Sequence, residues 1–78
     1  MNLEIITPDD TIFTGKVSLV QFPGYDGLFE VLNNHAPLIS VLKEGKIRVK
    51  DMSSKEQFFE IKGGVVEVLK NHILVLAE

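Results

Sequence analysis

Apolar residues recur along this chain in short runs, and each run is closed by glycine, proline, asparagine or aspartate. β-branched and aromatic residues dominate the runs, which is typical of strands. Residues 3–7 form the first run, which Pro8-Asp9-Asp10 stops. Residues 11–14 then predict a short strand ending at Gly15, and residues 16–22 predict the next strand.

The second half of the chain continues the pattern. Ile47 and Val49 alternate with three cations, so this segment predicts a strand with one buried and one wet face. Further strands are predicted at residues 37–42, 57–61, 65–69 and 73–76. About eight to ten short strands with no run of helical period predict an all-β fold, an antiparallel β-sandwich or flattened barrel. We see no repeat or linker, so residues 1–78 are predicted to be a single domain.

Turn formers, aromatics and a histidine concentrate in residues 22–38, around which the chain is organised. Pro23-Gly24 and Asp26-Gly27 are both turn signals, and together they predict a protruding loop. Asn33-Asn34 can enter the left-handed region, and Pro37 forces extended geometry on the residue before it. His35 is therefore predicted at the mouth of a new strand.

Composition and charge exclude several classes of protein. The 78 residues are 45% apolar and 24% charged, which is typical of a globular domain, and there is no cysteine for a disulfide or thiolate site. The net charge of −3 argues against a nucleic-acid module, which needs a basic face. No apolar run approaches the roughly 20 residues of a membrane span, and the N-terminus lacks a signal-peptide pattern. We expect a soluble protein that reaches a membrane only through a partner.

Catalytic chemistry is not indicated. His35 and His72 are far apart and lack metal-ligand spacing, and the acidic pair Asp9-Asp10 and Asp26 are turn residues that bond the backbone. Gly24 and Gly27 do not form a phosphate cradle, because no lysine and no helix start follow them. We therefore expect no catalytic residue, no cofactor and no metal.

Some side chains favour either packing or binding. His72 is expected to be an exposed turn residue, whereas His35 either bonds its own loop or faces a partner. The cations Lys46, Arg48 and Lys50 are expected to form a solvated strand face. Tyr25, Leu28 and Phe29 are apolar anchors near a loop tip, as protein interfaces use, although Phe29 could instead turn inward.

Several motifs in this order resemble the N-terminal β domain of the epsilon subunit of F-type ATP synthases, over residues 3–78. The motifs are Pro23-Gly24, Gly27, Asn34-His35-Ala36-Pro37-Leu38, Gly45-Lys46-Ile47-Arg48-Val49, Gly63-Gly64 and Val75-Leu76-Ala77-Glu78. The resemblance implies a non-catalytic rotor subunit at the foot of the central stalk. It would couple proton flow through the membrane ring to ATP synthesis in the catalytic head.

The resemblance also implies partners and positions. Residues matching the gamma-facing side are Thr7, His35 and Ser40, and residues matching the loop that meets the membrane ring are Gly24, Tyr25, Asp26, Gly27 and Leu28. The subunit would be a monomer when isolated. It would lie at the cytoplasmic face of the bacterial inner membrane, held there by the complex.

The sequence departs from the family pattern at Glu30, at Asn33, which stands where many relatives have a proline, and after the last predicted strand. The family commonly continues the loop as Gly-Glu-hydrophobic-Gly-Ile, whereas Glu30 stands here at the second glycine. A helical hairpin follows the β domain in many relatives, whereas residues 73–76 are followed here only by Ala77-Glu78. We therefore expect no inhibitory switching of the kind that hairpin performs. The alternative to the rotor role is a free-standing β-sandwich module for a small ligand or sugar, although the chain has no Trp and one Tyr.

Overall fold

The computed structural model describes all 78 residues and confirms the all-β prediction, with eight strands. The strands are β1 (Asn2–Ile6), β2 (Thr11–Gly24), β3 (Gly27–Leu32), β4 (Leu38–Leu42), β5 (Gly45–Asp51), β6 (Glu56–Ile61), β7 (Gly64–Leu69) and β8 (His72–Ala77). The structure contains no helix of the length and apolarity that crossing a membrane requires.

The strands form two packed layers that share β2. Sheet I contains β4, β7, β8, β1 and the first half of β2, in that order. Sheet II contains β3, the second half of β2, β5 and β6. All neighbouring strands are antiparallel except β1 and β8, which are parallel. Nearly the whole chain separates these two strands, so no tight connection constrains their relative direction.

Strand β2 corrects the prediction of two separate strands at residues 11–14 and 16–22. Gly15 does not end a strand, because it pairs with Leu3 of β1 and β2 continues through it. The register shifts between Val17 and Leu19, as at a β-bulge, and the Ser18 hydroxyl lies within hydrogen-bond distance of the Lys50 and Asp51 carbonyl oxygens, at 3.2 and 3.1 Å. A bulge bends a strand, and this one lets β2 leave β1 and enter sheet II.

The prediction of a protruding loop between the strands at residues 16–22 and 37–42 was also wrong in its extent. Pro23 and Gly24 lie inside β2, where they pair with Leu28 and Gly27 of β3, so the turn consists of Tyr25 and Asp26 alone. Proline is tolerated there because the ladder does not need its missing N–H. The irregular connection is limited to the residues between β3 and β4.

The core lies between the two sheets and is entirely apolar. Its buried side chains are Leu3, Ile5, Val17, Val20, Phe22, Val31, Leu42, Ile47, Val49, Ile61, Val66, Val68, Ile73, Val75 and Ala77. Phe13 of sheet I and Phe59 of sheet II pack with their ring centroids 5.5 Å apart. Ile47 and Val49 point inward, as the alternation in β5 predicts.

Candidate functional site

The outer face of sheet I is mostly apolar, although no part of this chain covers it. Its exposed side chains, with their accessible fractions, are Ile39 (72%), Val41 (54%), Leu76 (50%), Leu69 (49%) and Val65 (38%). Val41, Val65 and Leu76 are in register on adjacent strands, and half-buried Ile6 extends their row onto β1. We call these side chains, with half-buried Leu74, the apolar face. Contiguous exposed apolar residues of this kind mark a surface that binds another molecule.

The sequence of β8 indicates this face, although the face was not among the surfaces predicted from the sequence. Residues 73–76 are uninterrupted apolar residues, as is typical of a strand buried on both sides. Ile73 and Val75 are buried in the core, whereas Leu76 is half exposed. The run therefore predicts a second covering layer that this chain does not supply.

The outer face of sheet II is charged and satisfies its own charges. Arg48 of β5 lies 2.6 Å from the Glu56 carboxylate and 3.8 Å from that of Glu30. Gln21 lies on β2, between β3 and β5, and its side-chain amide donates a hydrogen bond of 3.2 Å to the Glu30 carboxylate. We call this the charged face. Glu30, which departs from the family pattern, thus belongs to this network, and Arg48 is ion-paired rather than simply solvated.

The tip hairpin, residues 24–28, carries the positions matched to the ring-facing loop. Tyr25 and Asp26 make the turn with negative φ, and Gly27 takes the positive φ of 123°. Gly24 is buried, and a Cβ there would lie 2.9 Å from the Gly27 oxygen and from the Phe29 ring. Tyr25 and Leu28 are 68% and 67% exposed. The glycines therefore allow a tight turn that projects these two side chains into solvent.

Phe29 turns inward, and the same hairpin shows why. It packs against the core and its ring centroid lies 5.4 Å from that of buried Phe22. Alternation in β3 then places Leu28 on the opposite side from Phe29. Of the three candidate anchors near the tip, Tyr25 and Leu28 are available to a partner.

The tip hairpin adjoins the apolar face. Tyr25 lines one shallow depression with Val41, Val65 and Leu76. Ser40 is half-buried on β4 and lines a second depression with the tip hairpin residues. Ser40, matched to the gamma-facing side, therefore lies beside the positions matched to the ring-facing side.

Thr7 has a structural role in the turn between β1 and β2. Its hydroxyl oxygen accepts hydrogen bonds from the backbone N–H groups of Asp9 and Asp10, at 3.3 and 3.1 Å. The Asp10 carboxylate accepts a bond of 2.8 Å from the Thr11 N–H. Thr7 directly follows Ile6, so it borders the apolar face at the end where the tip hairpin lies.

His35 lies beside the opposite end of sheet I, in the connection before β4. Its Nδ1 is 2.7 Å from the Ala36 carbonyl oxygen, which can only accept, so Nδ1 donates this hydrogen bond. Asn71 of the β7–β8 turn holds this connection by accepting from the Asn34 N–H and donating to the Asn33 side chain, at 2.9 and 2.7 Å. The structure thus places Thr7 and His35 at opposite ends of the apolar face.

No three histidine, aspartate or glutamate side chains converge as metal ligands would, and His72 is an exposed residue at the start of β8. The surfaces contain instead apolar side chains and a rigid turn, which suit binding to another protein.

Comparison with known proteins decides the family. The model of the ATP synthase delta/epsilon chain β-sandwich domain matches residues 1–78. The chain belongs to this family.

Curated relatives agree. The ATP synthase epsilon chain of Chlorobium limicola is 43% identical over 76 residues, which is 97% of this chain and 86% of that one. The epsilon chain of Caulobacter vibrioides is 40% identical over all 78 residues and 90% of its own length. The epsilon chain of Campylobacter concisus is 41% identical, but this chain covers only 60% of it.

Solved structures show the same fold. A chain in the structure of the Euglena gracilis mitochondrial ATP synthase, described as OSCP, F1 and c-ring, superposes with a TM-score of 0.91 at 21% identity. A chain of the Tetrahymena thermophila mitochondrial ATP synthase central stalk and c-ring superposes with a TM-score of 0.82 at 16% identity. This epsilon-type domain covers 48% and 61% of those two chains. The resemblance drawn from the sequence motifs is thereby confirmed.

Proposed function

We propose that this chain is a non-catalytic central-stalk subunit of a proton-translocating F-type ATP synthase. It bridges the gamma subunit and the membrane ring, and so helps couple proton flow to ATP synthesis. The observation that carries the proposal is the apolar face of sheet I. Its contiguous exposed apolar side chains resemble the core of a protein interface, and it adjoins an exposed, rigid hairpin. Two docking surfaces on one rigid domain are what a bridging subunit requires.

The gamma subunit is assigned to the apolar face. Apolar residues on both sides of a strand are typical of a sheet that is covered on both sides, and burying apolar surface contributes about 25 cal/mol per Å². Ser40 lies on β4 with its side chain on the inner side of the sheet, in register with buried Val66, whereas Thr7 and His35 border the apolar face at its two ends. Their match to the gamma-facing side of the family and the apolar character of the surface between them support the same assignment.

The membrane ring is assigned to the tip hairpin. Tyr25 and Leu28 are exposed there on a turn of only two residues, so ordering them in a complex costs little conformational entropy. Asp26 supplies a charge at the tip. In this arrangement the subunit lies peripherally at the cytoplasmic face of the bacterial inner membrane, held there by its partners.

One reconstitution tests both assignments. The purified chain is mixed with gamma-containing head complex and, separately, with the membrane ring, and its binding to each is measured. We expect Ile39→Thr/Val41→Thr to weaken gamma binding at least tenfold, because it replaces exposed apolar groups with hydroxyl groups while keeping strand-forming, β-branched residues. We expect Tyr25→Ser/Leu28→Thr to reduce ring binding and to leave gamma binding unchanged.

The matched control is Leu32→Thr/Phe58→Thr, which removes two exposed apolar side chains from the outer face of sheet II. It should bind both partners as the unmodified chain does. Thermal melts must show that all three variants remain folded. Equal loss of gamma binding in the control and in Ile39→Thr/Val41→Thr would reject the apolar face as the docking surface.

A further inference from the structure

Two carboxylates lie within the apolar face of sheet I. Glu67 of β7 and Glu4 of β1 are both in register with Leu74 of β8, which lies between them. Neighbouring strands are about 4.8 Å apart, so the two acidic positions are about 10 Å apart across the sheet. Ile39 of β4 continues the same row on the far side of Glu67.

These two carboxylates differ from the acids of the charged face, because they have no cation within the chain. The ion pairs of the protein both involve Arg48, on the opposite side of the molecule. The outward positions of β4, β7, β8 and β1 contain no lysine or arginine. Lys16 lies on β2 at the margin, opposite Asn2, and makes no ion pair with Glu4.

A partner that covers the apolar face also covers Glu4 and Glu67. Removing an ionised carboxylate from water without a partner costs far more than the surrounding apolar contacts return. A second copy of this chain would add two more carboxylates against the first two. The face is therefore not self-complementary and requires a surface of opposite charge.

We infer that the partner docked on the apolar face presents basic side chains, lysine or arginine, to Glu4 and Glu67, on either side of an apolar group seated over Leu74. This inference rests on the proposed function and takes the partner to be the gamma subunit. Electrostatic complementarity of this kind fixes the orientation of a docked surface, which apolar contact alone does not do. The two acids would thus set the angle at which the domain is held on the stalk.

The test is the affinity of purified gamma-containing head complex for Glu67→Gln, Glu4→Gln and the double variant, at low and high salt. We expect each single change to weaken binding about thirtyfold or more, because loss of one member of a buried ion pair costs about 2 kcal/mol or more. The dependence of the affinity on salt should decrease in each variant. Glu60→Gln is the matched control, since it removes the same charge from β6 on sheet II and should change nothing.

Unchanged or tighter binding of Glu67→Gln and Glu4→Gln, or an unchanged salt dependence, would overturn the inference. If Ile39→Thr/Val41→Thr still abolished gamma binding in that case, the proposed function would stand without the charge pairing. If the unmodified chain did not bind gamma at all, both would fall. Sedimentation of the chain alone should show a monomer. A dimer that dissociates on the Ile39→Thr/Val41→Thr change would show that a second copy occupies the apolar face, and it would overturn the inference as well.

Discussion

The outer faces of the two sheets differ in whether their side chains have partners within the chain. On sheet II, Arg48 bridges Glu30 and Glu56 across neighbouring strands, so that face is satisfied within the chain. On sheet I, Val41, Val65 and Leu76 form a row with nothing over it. A face that satisfies its own groups can remain in water. A face whose apolar side chains remain uncovered indicates where a partner protein binds.

The largest expected effect is the loss of stability when a charge is placed in the core rather than on an outer face. Val49 is fully buried and Val41 is 54% exposed, although both are valines in strands. Val49→Asp should unfold the domain, because a buried unpaired carboxylate costs more than the few kcal/mol of stability of so small a protein. Val41→Asp should remain folded, with its stability changed by less than about 1 kcal/mol.

Circular dichroism with urea titration measures this difference. Equal loss of structure in Val49→Asp and Val41→Asp would mean that the outer face of sheet I is part of the folding core. The contrast between the two faces would then fail as a guide to binding.

The next effect concerns the point at which the two sheets join. Gly24 pairs with Leu42 of sheet I and with Gly27 of sheet II. Gly24→Ala should destabilise the domain by about 1–3 kcal/mol, because the added methyl group would overlap the Gly27 oxygen and the Phe29 ring.

Gly15→Ala is the matched control. Its nearest neighbour would be the Phe13 ring at 3.4 Å, an ordinary contact, so its unfolding free energy should be unchanged or slightly raised. A Gly24→Ala variant as stable as Gly15→Ala would show that the tip hairpin adjusts without affecting the joint between the sheets.

The smallest effect is expected on the charged face. Arg48 and both its glutamates are partly exposed, so the solvent screens their attraction. A double-mutant cycle of Arg48→Met and Glu56→Gln should give a coupling free energy of about 0.2–1 kcal/mol that decreases with salt. Gamma binding should not change. A change in gamma binding as large as that of Ile39→Thr/Val41→Thr would place part of the interface on sheet II.

The sequence predicted the fold well where local pattern decides structure. Strict alternation around Ile47 and Val49 specified β5 and its faces without help from the rest of the chain. The motifs around His35 and Pro37 indicated the family. The strands predicted at residues 65–69 and 73–76 form the last hairpin, where Lys70 and Asn71 both take positive φ, as its two-residue turn requires.

Local pattern failed where distant residues decide the outcome. The continuity of β2 through Gly15 depends on its pairing with Leu3, and the placement of Thr7 and His35 at opposite ends of one sheet depends on the pairing of β1 with β8. The apolar face was readable as an uninterrupted apolar run. The apolar run at residues 73–76 indicates only that both sides of the strand are covered. It does not indicate that a second protein covers one of them.

Strand β2 has a mechanical consequence. Its 14 residues would extend about 46 Å if straight, whereas the longest dimension of the domain is 27 Å. The strand therefore runs, bent at the bulge beside Ser18, from the turn next to Thr7 to the tip hairpin. In the proposed rotor role, a pull at the tip directed along β2 would strain its hydrogen bonds to β5 and β1 together, in shear. Hydrogen bonds strained together resist force better than bonds broken one at a time, so the continuity of β2 would hold the tip hairpin firmly to both sheets.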